Sequence, residues 1–179
     1  MDRIAVVVGT DSASIQALLA RMAAGWRASG AAVVGLTAQT HELADRTCEA
    51  GFLRDLVSGA AYPMYLEVVP ANTSCHLDAA GVEAACAAVL GQIPESDLVV
   101  LSKFGKLEAG HSGLVPAFEA AFAAGKPILT SVSGRHRDAW RGYAPGAVEL
   151  PAEEAVLEQW WRSLDRDEAA ARRARLGAA

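Results

Sequence analysis

The chain has 179 residues, enough for one domain with a proper core, and 52% hydrophobic against 21% charged residues, a balance that excludes a disordered polypeptide. Its net charge of −5 is not offset by any long basic run, which argues against a general nucleic-acid binder. No run of about 20 apolar residues exists, so stable membrane insertion is not expected. The cysteines (48, 75 and 86) and the absence of a signal-like start point to a reducing cytoplasm.

Ile4-Val8 is a β-branched and apolar run ended by Gly9 and reads as a strand buried on both faces. Residues 14 to 28 follow as a helix with Ile15, Leu18, Leu19, Met22 and Trp26 on one stripe, closed by Gly30. Ala32-Thr37 is a second buried strand, completing a β-α-β unit, the usual seed of a parallel sheet. "GFLRDLVSGAAYPMYLEVV" then reads as an inserted β-hairpin around Ser58-Gly59, with Pro63 marking an exposed edge.

"HLDAAGVEAACAAVLG" is a helix with Asp78 as N-cap and Val82, Ala85, Cys86 and Val89 buried. Asp97-Leu101 is the third central strand. "GLVPAFEAAFAAG" is a helix stopped at Gly125-Lys126-Pro127, and "KPILTSV" is the fourth strand. A short segment at 135–141, a strand at 147–150 and a helix from about 152 to 164 complete the fold. Val156, Leu157, Trp160, Trp161 and Leu164 face inward in that helix. The expected architecture is a three-layer α/β sandwich on a mostly parallel sheet with strand 4–8 central. A single domain spans 1–164 and a helical tail 165–179, whose Arg172, Arg173 and Arg175 read with Asp167 and Glu168 as a solvated face.

In such sheets ligands bind where loops leave the carboxyl ends of the strands. The stretches Gly9-Ser14, Thr37-His41, Ser102-Gly113 and Ser131-Arg137 all qualify, and all are polar. The first sits where a phosphate-binding P-loop would sit, a motif of Gly, four residues, then Gly-Lys-Ser/Thr. Counting from Gly9, the last three positions hold Ser14, Ile15 and Gln16. The lysine and the magnesium-holding hydroxyl are gone, although Ser12 and Ser14 could still donate to an anion. At the end of the third strand, where a metal-dependent phosphotransferase needs a carboxylate, the chain has Ser102 and Lys103. Glu108 is the nearby acid, and Lys103, Lys106 and His111 make the loop cationic. Cys75 and His76 are adjacent and match no zinc spacing, so no metal is expected.

"LSKFGKLEAGHSGL…AFEAAFAAGKPILTSV…AW", preceded by "CHLD", resembles an uncharacterised bacterial domain family often encoded near molybdate-transport genes. Its members carry an Asn-Lys-Phe-Gly-Lys-x-Glu stretch and an upstream Cys-Arg-Leu-Asp. Lys103, Phe104, Gly105, Lys106 and Glu108 match, as do Cys75, Leu77 and Asp78, while Ser102 and His76 depart from it. More distantly the layout is similar to small P-loop nucleoside-triphosphatases with a hairpin after the second strand. Gly105 and Glu108 survive from the Asp-Glu-x-Gly-x-x-Glu stretch of that group, and Ser102 and Lys103 stand in for its acidic pair.

Three functions of different class follow. The first is a non-hydrolytic, NTPase-like protein binding a nucleotide, a cofactor or an oxyanion in molybdenum metabolism. Its ligand would touch Gly9, Ser12, Ser14, Thr37, Gln39, Ser102, Lys103, Gly105, Lys106, Glu108, His111 and Gly113, with Arg135 or Arg137 closing the far side. The second is an enzyme on a phosphorylated substrate with Lys103 or Lys106 as clamp and Glu108 and His111 as acid and base. The third is an interaction protein using the Pro63-edged hairpin and the Trp-rich last helix, with a second copy or a transporter-associated protein as partner. The cofactor is left open.

Overall fold

The computed structural model describes residues 3–9, 11–41, 50–66 and 77–164. Cys48, Cys75, His76 and the expected tail at 165–179 lie outside the described residues. The elements run β1 (Ile4–Val8), α1 (Ser12–Ala28), β2 (Val33–Thr40), β3 (Ala50–Asp55), β4 (Ala61–Pro63), α2 (Ala79–Leu90), β5 (Leu98–Phe104), α3 (Lys106–Ala109), α4 (Val115–Ala123) and β6 (Ile128–Val132). A 3₁₀ turn (Gly134–His136), α5 (Arg137–Tyr143) and β7 (Val148–Pro151) come next, and α6 occupies 154–164.

The seven strands form one sheet in the order β4-β3-β2-β5-β6-β1-β7. From β2 to β7 every pairing is parallel, and β3 and β4 add an antiparallel hairpin outside that core. This is the mostly parallel α/β sheet expected from the uninterrupted apolar strands, and it is consistent with the P-loop-NTPase-like layout that the resemblance implies. One detail differs. β1 lies inside the sheet between β6 and β7, one strand from the edge rather than at its centre, because the last strand pairs with it in parallel. The short segment expected at 135–141 is present and helical, with Trp140 buried.

Alternate residues of each strand feed two cores. Val6, Val34, Val99 and Ile128 pack with α2, α4 and α5 through Val82, Phe118 and Trp140. Ala5, Val7, Val33, Val100 and Leu129 pack with α1 and α6 through Leu19, Trp26, Leu157 and Trp160. Each large apolar side chain buried this way contributes about 1.5–3 kcal/mol against exposure. Gly35 explains how tightly β2 and β5 are joined: it has φ +117°, and a Cβ there would stand 1.9 Å from the carbonyl oxygen of Val100.

Candidate functional site

β1 delivers the chain to α1 on one face of the sheet, whereas its neighbour β6 delivers it to α5 on the opposite face. Adjacent strands that send the chain to opposite faces leave a crevice at their carboxyl ends, the usual ligand position in open parallel sheets. The parallel register puts the ends of β1, β2, β5 and β6 at this same end of the molecule.

The turn after β1 is short. Asp11, not a serine, is the N-cap of α1, accepting from the Ala13 N–H at 3.0 Å and from the Ser14 hydroxyl. Those bonds, that from Ser14 foremost, hold its carboxyl below the usual aspartate range. The first turn of the helix therefore already carries a carboxylate of its own. Ser12 and Ser14 are exposed. Ile15, at the position the P-loop motif gives to lysine, is buried, with its Cδ1 packed against Gly9.

Gln16, which fills the motif's hydroxyl position, is buried at 5% exposure. Its Nε2 donates to the Ser102 carbonyl at 2.7 Å and to Ser131 Oγ at 3.1 Å, and its Oε1 accepts from the Ala38 N–H at 3.0 Å. One side chain on α1 thus bonds to β2, β5 and β6. Sequence reasoning counted Gln16 only as a lost hydroxyl. Its signal was an amide interrupting the apolar stripe of Ile15, Leu18 and Leu19 on the face that meets the sheet.

β5 continues past Leu101 to Phe104, and its pairing with β6 shifts register between those residues. Ser102 and Lys103 therefore form a bulge at the strand end rather than the start of a loop. Ser102 is buried, and its carbonyl also accepts from Ser131 Oγ at 2.9 Å. Phe104 anchors the strand end in an aromatic cluster, with ring centroids 5.3 Å from Trp140 and 5.2 Å from Tyr143. Lys103 is half-buried.

Beyond Gly105 the one-turn α3 is tied down by Glu108. This carboxylate is 5% exposed, and it accepts the Gly105 N–H at 2.9 Å and the Leu114 N–H at 3.0 Å. Gly113 has φ +65°, and a Cβ on it would stand 2.5 Å from Glu108 Oε1. Glu108 is thus a brace of the turn, with both oxygens engaged. Lys106 and His111 are exposed on its outside.

The remaining expected residues divide. Thr37 is buried within β2, and Gln39 accepts from Arg54 Nε at 2.9 Å, facing the hairpin. Arg137 is bonded through two nitrogens to Glu149, which Arg141 also reaches at 3.2 Å. The bonds from Arg137 hold the Glu149 carboxyl below the ordinary glutamate range. Arg135 is exposed, and His136 Nδ1 lies 2.7 Å from Ser133 Oγ. The side chains of Lys103, Lys106, His111 and Arg135 have no hydrogen-bond or ion-pair partner among the described residues. Also among the described residues, no group of three or more His, Cys, Asp or Glu could hold a metal ion, and no helix is long and apolar enough to cross a membrane.

Two cavities, of about 690 and 330 Å³, lie at the other end of the sheet around Arg3, Gly125 and Lys126. The larger is the default candidate by size, yet two of its polar side chains already serve the fold. Lys126 Nζ donates to the Ser96 carbonyl at 2.7 Å, and Asp97 accepts the Ala32 N–H at 2.8 Å. The strand ends carry the stronger claim, because basic side chains stand there while the nearby carboxylates Asp11 and Glu108 are bonded elsewhere.

A family model described as protein of unknown function (DUF2478) matches residues 4–160. The chain belongs to that family. It is also 32% identical over 164 residues to the molybdenum import ATP-binding protein ModC 2 of Bradyrhizobium diazoefficiens, a match covering 90% of this chain and 18% of that protein. The chain therefore spans less than a fifth of that relative's length. No solved structure matches.

Proposed function

We propose that this member of DUF2478 is a cytoplasmic, non-hydrolytic relative of P-loop nucleoside-triphosphatases, a single domain over 1–164, that binds a small anion at the carboxyl ends of its sheet in the service of molybdenum import. The observation that carries the reading is the set of basic side chains Lys103, Lys106, His111 and Arg135, unpartnered among the described residues, at strand ends whose carboxylates Asp11 and Glu108 are already bonded. A rim of that sign attracts anions and disfavours metal ions. In this reading the ligand also meets Ser12 and Ser14 at the start of α1 and the turns at Gly9, Gly105 and Gly113.

The residues at the strand ends argue against hydrolysis. Phosphoryl transfer needs a lysine on the phosphates and an acid that anchors magnesium. Ile15 is packed in the core at the first position and Ser102-Lys103 stand at the second, and each such electrostatic contact is worth about 10² to 10³ in rate. An acid-base pair of Glu108 with His111 is equally disfavoured, since Glu108 has spent both oxygens on backbone N–H groups.

The link to molybdenum rests on the relative, which is named for molybdenum import and ATP binding and contains the counterpart of this chain as 18% of its length. A segment carried within a transporter's ATP-binding protein in one organism supports a transporter ATP-binding subunit as partner here.

Calorimetric titration with molybdate, phosphate, sulfate and ATP tests the reading. Binding tighter than about 1 mM is expected for at least one of them, weakened about tenfold or more in Lys103→Ala/Lys106→Ala. No binding, or equal binding by the double variant, would remove it. So would ATP turnover of about 1 per second, the low end of ordinary enzyme rates.

A further inference from the structure

We propose that the side-chain amide of Gln16 takes the place of a metal ion at the carboxyl ends of β2, β5 and β6, positioning Lys103 so that the anion binds without a divalent cation. This rests on the anion-binding reading above and specifies how its site is built.

β2 and β5 stay paired only as far as Leu36 and Leu101. Beyond that point β2 continues to Thr40 against β3, while β5 bulges against β6. The two strands fork, and the Ala38 N–H and the Ser102 carbonyl point into the gap. Buried backbone groups of this kind need partners. Gln16 meets both, with Ala38 N at 3.0 Å and Ser102 O at 2.7 Å, and its second N–H reaches Ser131 Oγ at 3.1 Å. Ser131 closes the triangle by donating to the same Ser102 carbonyl at 2.9 Å. Both amide hydrogens and one oxygen lone pair are used, leaving little capacity for a ligand.

The position matters as much as the bonding. Counted from Gly9, Gln16 stands where a P-loop places the hydroxyl that holds magnesium. In such a protein the ion sits between the helix, the strand ends and the phosphates. Here a neutral amide with its N–H groups turned on protein oxygens occupies that junction, and no acid stands at the end of β5 to attract a cation. The residue it grips, Ser102, directly precedes Lys103 in the bulge, so the amide fixes the backbone from which that lysine extends. A site assembled by hydrogen bonds has no use for the ion.

Titration of the full chain with sodium molybdate and with inorganic phosphate, once in EDTA and once in excess magnesium, tests this beside the variants Gln16→Met and Ser131→Ala. Equal wild-type affinity in the two conditions is expected. Gln16→Met, similar in shape but unable to bridge, should weaken binding about tenfold, and Ser131→Ala about two- to fivefold. Both are read at a temperature where each protein is folded, so lost stability alone leaves the affinity unchanged. A magnesium requirement in wild type would overturn the inference while sparing the anion reading. So would variants that melt earlier yet bind as tightly as wild type. If Gln16→Met does not fold, Ser131→Ala decides alone. Absence of wild-type binding to either anion in both conditions would overturn the anion reading itself and this inference with it.

Discussion

Replacing Glu108 by alanine should loosen the segment from Gly105 to Leu114 and cost more than its position in a glycine-rich turn suggests. Its carboxylate is 5% exposed and accepts two backbone N–H groups, at 2.9 and 3.0 Å. Hydrogen bonds to a charged partner are worth about 1.5–3 kcal/mol each, and the two donors left behind are buried. Partial relaxation of a short turn lowers the sum, so a loss of about 3 kcal/mol is expected, equivalent to roughly 6–12 °C in Tm for a domain of this size. Gly113→Ala should be costly for a related reason: φ is +65°, and the new Cβ would stand 2.5 Å from Glu108 Oε1 and 2.8 Å from Leu107 Cβ. The two substitutions share an atom, so their effects should fail to add, with a coupling of about 1 kcal/mol or more. Urea unfolding of wild type, both single variants and the double variant provides the cycle. A Glu108→Ala cost under about 1 kcal/mol, or strict additivity, would refute the brace.

Gly35→Ala should be among the most damaging single changes, costing roughly 3 kcal/mol or more, because its Cβ would stand 1.9 Å from the Val100 carbonyl oxygen in the middle of the β2–β5 ladder; circular dichroism melting checks it. Tyr143→Phe should be neutral or mildly stabilising in the same assay, since the Tyr143 hydroxyl is buried without a partner among the described residues, and removing such a group relieves a desolvation cost. Burial, with lesser contributions from Glu119 and Glu108, pushes that phenol up to about 12. A raised folded value means the neutral form is favoured by folding, so this stability is present below the ordinary tyrosine value and fades as pH climbs toward 12. Ultraviolet difference titration should accordingly lose its latest phase in Tyr143→Phe.

The parallel core was legible because β1, β2, β5 and β6 are short apolar runs without alternation, a pattern that only a strand covered on both faces tolerates. Helices α1 and α2 were legible from their stripes, and Asp78 from its capping chemistry. The end of β5 was not. Ser102 and Lys103 break the apolar run, and only the packing of Phe104 against Phe118, Trp140 and Tyr143 reveals that the strand continues through them. The same limit applies to the candidate site. Which residues stand near the strand ends follows from topology, but which are already engaged does not. Glu108 and Arg137 read in sequence as groups available to a ligand, and they are bonded to the protein itself. Gln16 read as a missing hydroxyl, and it bridges three strands.

The central claim is that an anion binds at the carboxyl ends of the sheet, and backbone amide NMR during a molybdate titration tests where it binds most directly. Saturable shifts below about 1 mM are expected at Lys103 to Ser112 and at Gly134-Arg135, with Asp97 and Gly125-Lys126 at the opposite end unmoved. Shifts confined to the amino-end cavities, or none up to that concentration with molybdate, phosphate or ATP, would contradict the account.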